Sequence, residues 1–581
     1  MGSIFSEGRQ LPLPNRRSWL VPRPLADRGA GVVYTRAWVV DLMLDLVGYD
    51  TSADLGAQTI VEPGCGDGAF LSRIVPRLAA SAKEHGRSLD SLTDAIRGYE
   101  LDPGSAERAR TVVADLLVRE GASEETSRTL AQAWVVQGDF LLDEIDVVAQ
   151  WVVGNPPYVR VEEADAEVYA TYRERWATMS GRADIYIGFF EAGLSLLVEG
   201  GKLCFICADR WMHNQYGAGL RRHVVDNFAL GLLLELHQSD VFEVAVAAYP
   251  AITVMERAPH SSTALATARA SFGPSSVPRF RRWLAGDDKH DLTEDDFSAA
   301  MLDGRFRADG SWPSGPPERL RLIADLEARL PSLSEVGISI GVGIATGADK
   351  VYVVSEAGGV EPELLKPAVG PADLRDGVVK WTGRQIVSPW KGSELINLAE
   401  YPGAKEYFQK HAKVLKARYV GKRNPDAWWR TIDRPPSDDY KGSKLIVADI
   451  NDKIEPVLDA DGYWPLHSAY YITSSEWDLE ALGGYLLSDV AGAFVEAYSV
   501  KMANGHLRVS AQYLKKIRIP RATNVADDVV AQLRTAFKAR DRNLATRTVN
   551  ALVSLGHNGH HQVVQPKPTD SSSTSEAGLF E

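Results

Sequence analysis

The four residues Asn155-Pro156-Pro157-Tyr158 concentrate unusual chemistry. Two consecutive prolines remove two amide donors and fix a rigid turn. The Asn155 side-chain oxygen and the Pro156 carbonyl can then converge on one donor-rich group, such as an NH2 on an aromatic ring. The lone pair of that nitrogen is delocalised into the ring. Two aligned acceptors would draw its hydrogens out of plane and localise the pair for attack, while Tyr158 stacked on the ring. A turn serving structure alone needs neither the asparagine before it nor the aromatic after it.

A second constellation lies upstream, in Glu62-Pro63-Gly64-Cys65-Gly66-Asp67-Gly68 followed by the helical run AFLSRIV. Glycines at 64, 66 and 68 let the backbone turn tightly and approach a ligand where a β-carbon would collide. Glu62, just before them, is placed to hold a cationic or hydroxyl-bearing ligand. Glu100 ends another apolar run and is placed to accept from two ribose hydroxyls. Asp139, in Gly138-Asp139-Phe140, is placed to accept from an adenine amino group. Any one of these polar residues could simply cap the helix that follows; four in order at four strand ends point to a ligand site.

The elements that must position these groups are short apolar runs alternating with helical stretches. The runs are Thr59–Glu62, Ala95–Glu100, Trp134–Asp139, Trp151–Gly154, Lys202–Ala208, Leu230–His237 and Pro250–Glu256. Such alternation predicts an α/β domain with a seven-stranded, doubly wound, mostly parallel sheet over residues 1–262. In open sheets of this kind ligands bind at the carboxyl ends of the strands. Residues 263–319, rich in Ser, Pro, Gly and Asp, read as a connector. A second, α+β body is expected over 320–555, and the polar stretch 556–581 reads as a disordered tail.

Composition narrows the function classes. The 581 residues are 45% hydrophobic, with three cysteines and a formal net charge of −13. No apolar run spans a bilayer and no secretion signal is evident, so a cytoplasmic protein is expected. Three cysteines exclude a disulfide framework. Cys204 and Cys207 sit three apart in a strand pattern with no second pair, so no metal site is expected. The histidines at 557, 560 and 561 fall in the tail. Gly341, Gly343 and Gly347 lack the lysine of a phosphate loop, which leaves no basis for an ATP-driven motor. The acidic total leaves room for local basic surfaces. Lys405 to Arg434 holds nine Lys/Arg against three Asp/Glu, and Arg508 to Arg547 holds ten against three.

The order of these motifs resembles the γ-class type II DNA adenine-N6 methyltransferases, the TaqI-like enzymes. Gly31-Val32-Val33-Tyr34-Thr35 resembles the family's N-terminal cofactor motif. The glycine loop, Glu100, Asp139 and NPPY follow, then Asp184-Ile185-Tyr186 and Gly200-Gly201-Lys202. Phe242 matches the aromatic before the last hairpin. Arg36 departs from the proline common after the threonine. The segments Thr346–Val354 and Tyr401–Tyr419 resemble the family's target-recognition domain less specifically.

The resemblance implies that Thr35, Glu62, Gly64, Gly66, Gly68, Glu100, Asp139 and Pro156 contact S-adenosylmethionine. It implies that Asn155 and Pro156 accept from the target amine while Tyr158 and Phe242 sandwich the extruded base. Double-stranded DNA is the implied partner, with Lys413, Lys416, Arg418, Lys422 and Arg423 as phosphate contacts. A monomer is expected, with any cognate restriction endonuclease on a separate chain, since no nuclease constellation is evident. Three other readings share the motifs: a cytosine-N4 methyltransferase, a protein-glutamine methyltransferase, and a silent DNA-specificity module. The protein-directed reading leaves the second body and its basic stretches without a purpose.

Overall fold

A computed structural model describes residues 34–159, 165–244, 249–259, 262–286, 290–302, 306–308, 310–436, 440–499 and 507–554. Gly31 to Val33 and the expected tail lie outside the described residues. The chain divides into two compact units, the first comprising Met1–Leu330, Asp449–Asp452 and Ala493–Ile517.

The first unit is built on β1 (Ile60–Pro63), β2 (Ile96–Glu100), β3 (Val135–Gln137), β4 (Ala149–Gly154), β5 (Leu197–Ala208), β6 (Ala229–Glu235), β7 (Pro250–Glu256), β8 (Thr263–Ala268), β9 (Leu292–Thr293) and β10 (Phe297–Leu302). They form one ten-stranded sheet in the order β3-β2-β1-β4-β5-β7-β6-β8-β10-β9. Strands β3, β2, β1, β4 and β5 run parallel, and β7 is antiparallel to both its neighbours. All four residues of β1 are buried, as expected of a central parallel strand covered on both faces. The strand order reverses between β1 and β4, so a crevice opens beyond their carboxyl ends.

Helices close the sheet. They include α1 (Ala37–Val47), α2 (Leu71–Glu84), α3 (Pro103–Arg119), α4 (Glu124–Trp134), α5 (Ala166–Arg175), α6 (Tyr186–Ser195), α7 (Arg210–His213) and α8 (Ala218–Asn227). Local chemistry sets their starts. Asp102 accepts from the Ser105 amide at 2.7 Å with Pro103 in the first turn of α3, and Ser123 caps α4 by accepting from Thr126. Such caps satisfy amides that the first turn leaves without partners.

Each of the seven expected runs overlaps a strand, but the sheet does not stop at seven, and 263–319 is not a connector. Strand β8 pairs with β6 in parallel and β10 pairs antiparallel with β8. These strands, TALATA and FSAAML, are mostly small, and Phe297 of β10 builds their core together with loop and helix aromatics. Phe280 is fully buried, lies 5.6 Å from Phe297 and 6.1 Å from Phe272, and stacks on Trp283. The helix Pro317–Arg329 also belongs to this unit, so the expected boundary at 320 falls about ten residues early.

The second unit comprises Pro331–Ala448, Lys453–Gly492 and Arg518–Glu581. Strands Ile338–Val342, Ala469–Ser474, Lys444–Ala448 and Val457–Asp459 form an antiparallel sheet. A smaller sheet joins Val353–Val354, Gln385–Val387, Leu365–Val369 and Trp464–Pro465. The helices of the second unit include Pro402–Lys410, Leu479–Leu487, Asp527–Ala539 and Arg542–Ser554. A buried Lys444–Asp459 ion pair of 2.6 Å ties two adjacent strands of the first of these sheets.

Candidate active site and basic surface

The expected ligand groups converge at the carboxyl ends of β1, β2 and β4. Strand register places Glu62 beside Gly98 of β2, and a β-carbon on Gly154 would meet the Pro63 carbonyl at 3.4 Å. Gly64, Gly66 and Gly68 all adopt positive φ, 75°, 54° and 91°. A β-carbon on Gly64 would lie in ordinary contact with Pro157, at 3.7 Å, and with Phe189, at 3.8 Å. The glycine turn thus rests against the double proline. Phe189, on α6, stacks on Phe140 at 5.4 Å.

Three carboxyl groups line this crevice with little positive charge among them. Glu62 is buried, and its Oε2 finds no hydrogen-bond donor among the described residues. Burial and the nearby Glu100 charge push its carboxyl well above the ordinary range, against the Leu71 amide. Glu100 accepts from the Gly66 and Asp102 amides, each at 2.8 Å, yet burial still raises it. Asp139 is raised by burial too, although it accepts from the Leu141 amide at 2.9 Å and from Tyr172 Oη at 2.7 Å. A carboxylate has about four acceptor positions, so each keeps capacity for a ligand rich in N–H, O–H and positive charge. A cationic ligand would also return these groups to their ionised form.

The double-proline corner sits on the same rim. Asn155 Nδ2 donates to Thr35 Oγ1 at 3.1 Å, which sets the amide so that Oδ1 points away from the threonine. Thr35 itself bridges to Phe242, reinforced by Arg36 N–H donating to the Val241 carbonyl and Glu243 N–H to the Tyr34 carbonyl. Arg36 therefore has a use that proline could not serve, because its amide is a donor here and its guanidinium pairs with Asp240 at 2.6 Å.

Tyr158 and Phe242 are brought together, but not as parallel jaws. Their centroids lie 6.5 Å apart at 79°, ring edge to ring face, and Phe242 is buried. A base stacked face to face between both rings would need them parallel and roughly 7 Å apart, whereas the present arrangement offers one ring face and one ring edge.

Sequence reasoning missed several partners of this site. Tyr34 Oη donates to Asp67 at 2.9 Å, and Arg108 Nε donates to the other Asp67 oxygen at 2.9 Å, pinning the glycine loop. Tyr172, which orients Asp139, lies 33 residues away. Only the residue types of Asp67 and Tyr34 inside their motifs carried a signal. Cys204 and Cys207 are buried in β5, and no group of His, Cys, Asp or Glu among the described residues has the geometry to hold a metal.

The two basic stretches diverge. Arg508 to Arg547 does not form a free cationic face. Arg534 pairs with Asp478, Lys538 with Glu480, Arg540 and Arg542 with Glu455, and Arg508 with Asp449. In the first stretch, Lys413, Lys416, Lys422 and Arg423 are exposed and form no ion pair among the described residues. Arg423 lies over the ring of Tyr419, and Lys416 over that of Trp428.

Arg418 is different, and its place among the phosphate contacts is corrected. Its guanidinium donates to the carbonyls of Leu415, Thr346, Trp428 and Arg430 and to Tyr352 Oη. With its donors committed to the protein it acts as an internal staple. No helix among the described residues is long and apolar enough to cross a membrane.

Residues 140–242 match the family model described as Eco57I restriction-modification methylase. The chain is 39% identical to the type II methyltransferase M.XhoI of Xanthomonas vasicola over 531 residues, covering 90% of this chain and 97% of that one. It is 38% identical to the type II methyltransferase M.PaeR7I of Pseudomonas aeruginosa, covering 91% and 92%. Among solved structures, the type IIL restriction-modification enzyme MmeI, determined with DNA, shares the fold. Its TM-score is 0.55 at 11% identity, covering 90% of this chain and 74% of that one. With such likeness along nearly its whole length, the chain belongs to the type II methyltransferase family of restriction-modification systems.

Proposed function

We propose that the protein transfers a methyl group from S-adenosylmethionine to the N6 amine of adenine within a short double-stranded recognition sequence. The modification would shield host DNA from a cognate endonuclease carried on a separate chain. The observation that carries this reading is the meeting of Asn155, hydrogen-bonded to Thr35, with the Glu62 crevice on one side and the Tyr158–Phe242 pair on the other.

S-adenosylmethionine supplies, when bound, a methyl group activated on a sulfonium, and the reading calls for no metal ion. Its ammonium, ribose hydroxyls and adenine amine match the three acceptor groups. Glu62 would face the methionine portion beside Gly64, Gly66 and Gly68, Glu100 the ribose and Asp139 the adenine, with Thr35 and Pro156 closing the site. The target base must leave the duplex at a cost of a few kcal/mol, and stacking on Tyr158 and Phe242 returns roughly 1–3 kcal/mol. Asn155 Oδ1 and the Pro156 carbonyl then accept the two amine hydrogens, pyramidalising the nitrogen. The amine nitrogen would attack the methyl carbon in line as the carbon–sulfur bond breaks, the sulfur leaving as a thioether with the electron pair and the nitrogen giving up one proton, with positioning supplying much of the acceleration. Lys413, Lys416, Lys422 and Arg423 would hold phosphates, and a cytoplasmic monomer would methylate each strand of its site in turn.

Sequencing of modified bases in cells expressing the chain tests this. N6-methyladenine at one fixed motif is expected. N4-methylcytosine there would reassign the base, and unmodified DNA would overturn the reading.

A further inference from the structure

Asp209 has no part in the chemistry above, yet it is a buried acid at the end of β5, one strand over from the double-proline corner. Two imidazoles face it. His237 Nε2 lies 2.8 Å from its Oδ2, within ion-pair reach, and His213 Nε2, on α7, lies 3.9 Å from the same oxygen. Burial alone would raise this carboxyl, but the hydrogen bonds and charges of the two histidines hold it below the usual carboxylate range. The Asp209 amide also donates to the Tyr249 carbonyl at 3.1 Å, and Leu236 N–H donates to the Pro250 carbonyl at 2.9 Å. Asp209 thus grips both the chain leaving β6 and the chain entering β7.

The chain leaving β6 carries Phe242, five residues after His237. Its far end is fixed by the Thr35 bridge and the Arg36–Asp240 pair, and its near end by Asp209. As found, Phe242 meets Tyr158 edge to face, so a base stacked between both ring faces calls for a turn of one ring while its segment stays in place. We infer that Asp209 is a positioning residue which, through His237, anchors the segment bearing Phe242 so that this ring can be re-seated against an extruded base. The inference rests on the reading of Tyr158 and Phe242 as the base-stacking pair.

The two histidines provide the test, because both face one carboxylate but only His237 lies on the Phe242 segment. The full chain is assayed with a duplex carrying 2-aminopurine at the target position, whose fluorescence rises when the base unstacks. His237→Ala and Asp209→Asn are each expected to lower the extrusion signal and kcat by about tenfold or more. His237→Gln, which keeps an N–H donor, should restore most of the signal. His213→Ala should leave it within twofold of the parent, and S-adenosylmethionine affinity should hold in all four. Equal losses in His213→Ala and His237→Ala would show a merely structural cluster and overturn the inference, as would full extrusion in His237→Ala. Should Asp209→Asn fail to fold, the histidine variants decide alone. An unmodified parent duplex would instead refute the proposed reaction.

Discussion

Neutralising the basic face of the second unit should change the salt dependence of DNA binding by a calculable amount. Lys413, Lys416, Lys422 and Arg423 are four exposed cations without carboxylate partners among the described residues. If each neutralises one phosphate, together they contribute about −3.6 to the slope of log K against log salt, at roughly −0.9 per contact. Between 50 and 200 mM salt that amounts to about a 150-fold loss of affinity. Fluorescence anisotropy on a labelled duplex at four salt concentrations measures the slope. Each single alanine substitution should flatten it by about one unit, and the fourfold variant by three to four.

Arg418→Gln, which removes the charge, is the control. Its guanidinium already serves four carbonyls and a phenol, so the slope should hold while the unit loses roughly 2–4 kcal/mol of stability. An unchanged slope in the fourfold variant, or a flattened one in Arg418→Gln, would refute the assignment of this face.

Asn155→Ala should lower methyl transfer by roughly 10²-fold or more, because the amine loses one of its two aligned acceptors; tritium transfer to DNA measures it, with donor affinity preserved. Glu62→Gln should act oppositely on stability and binding. A carboxyl raised by burial favours the folded state while protonated and costs stability as pH rises through its folded value. The variant should therefore melt higher than the parent at pH 8 without ligand, yet bind S-adenosylmethionine more weakly by calorimetry. For the same reason the parent's donor affinity should fall on acidification, with the fall beginning above the usual glutamate range. Phe280→Ala should cost about 3–5 kcal/mol in urea unfolding, since that ring fills the core beneath β8 and β10.

Much of the active end was legible because its constraints are local. A glycine turn needs positive φ, a double proline fixes its own corner, and an acid ending an apolar run falls at the sheet rim whatever the rest of the chain does. Strands β8 and β10 were hidden because TALATA and the middle of FSAAML carry little bulk, and the aromatics that join Phe297 in burying them, Phe272, Phe280 and Trp283, come from a neighbouring loop and helix. Arg418 could not be told from Lys416 by sequence, because a basic residue becomes a staple or a phosphate ligand according to the carbonyls it meets. Tyr172 and Asp209 were invisible for a similar reason, since each gains its meaning from a partner some 30 residues distant in the chain. Tyr158 and Phe242 were legible as a pair but not as an edge-on one, because periodicity says nothing of ring rotation.

Thr35 deserves a last consequence. It bridges to Phe242 while its hydroxyl accepts a hydrogen bond from Asn155 Nδ2, so on the proposed reading one short side chain belongs at once to the donor's berth and the acceptor's. Occupancy of either berth then biases the other, and such coupling is reciprocal by thermodynamic necessity. A protein loaded with its methyl donor should close more tightly on its nucleotide, and duplex should in turn slow the donor's escape. Shortening this residue to alanine would let the two equilibria drift apart, even where each alone survived.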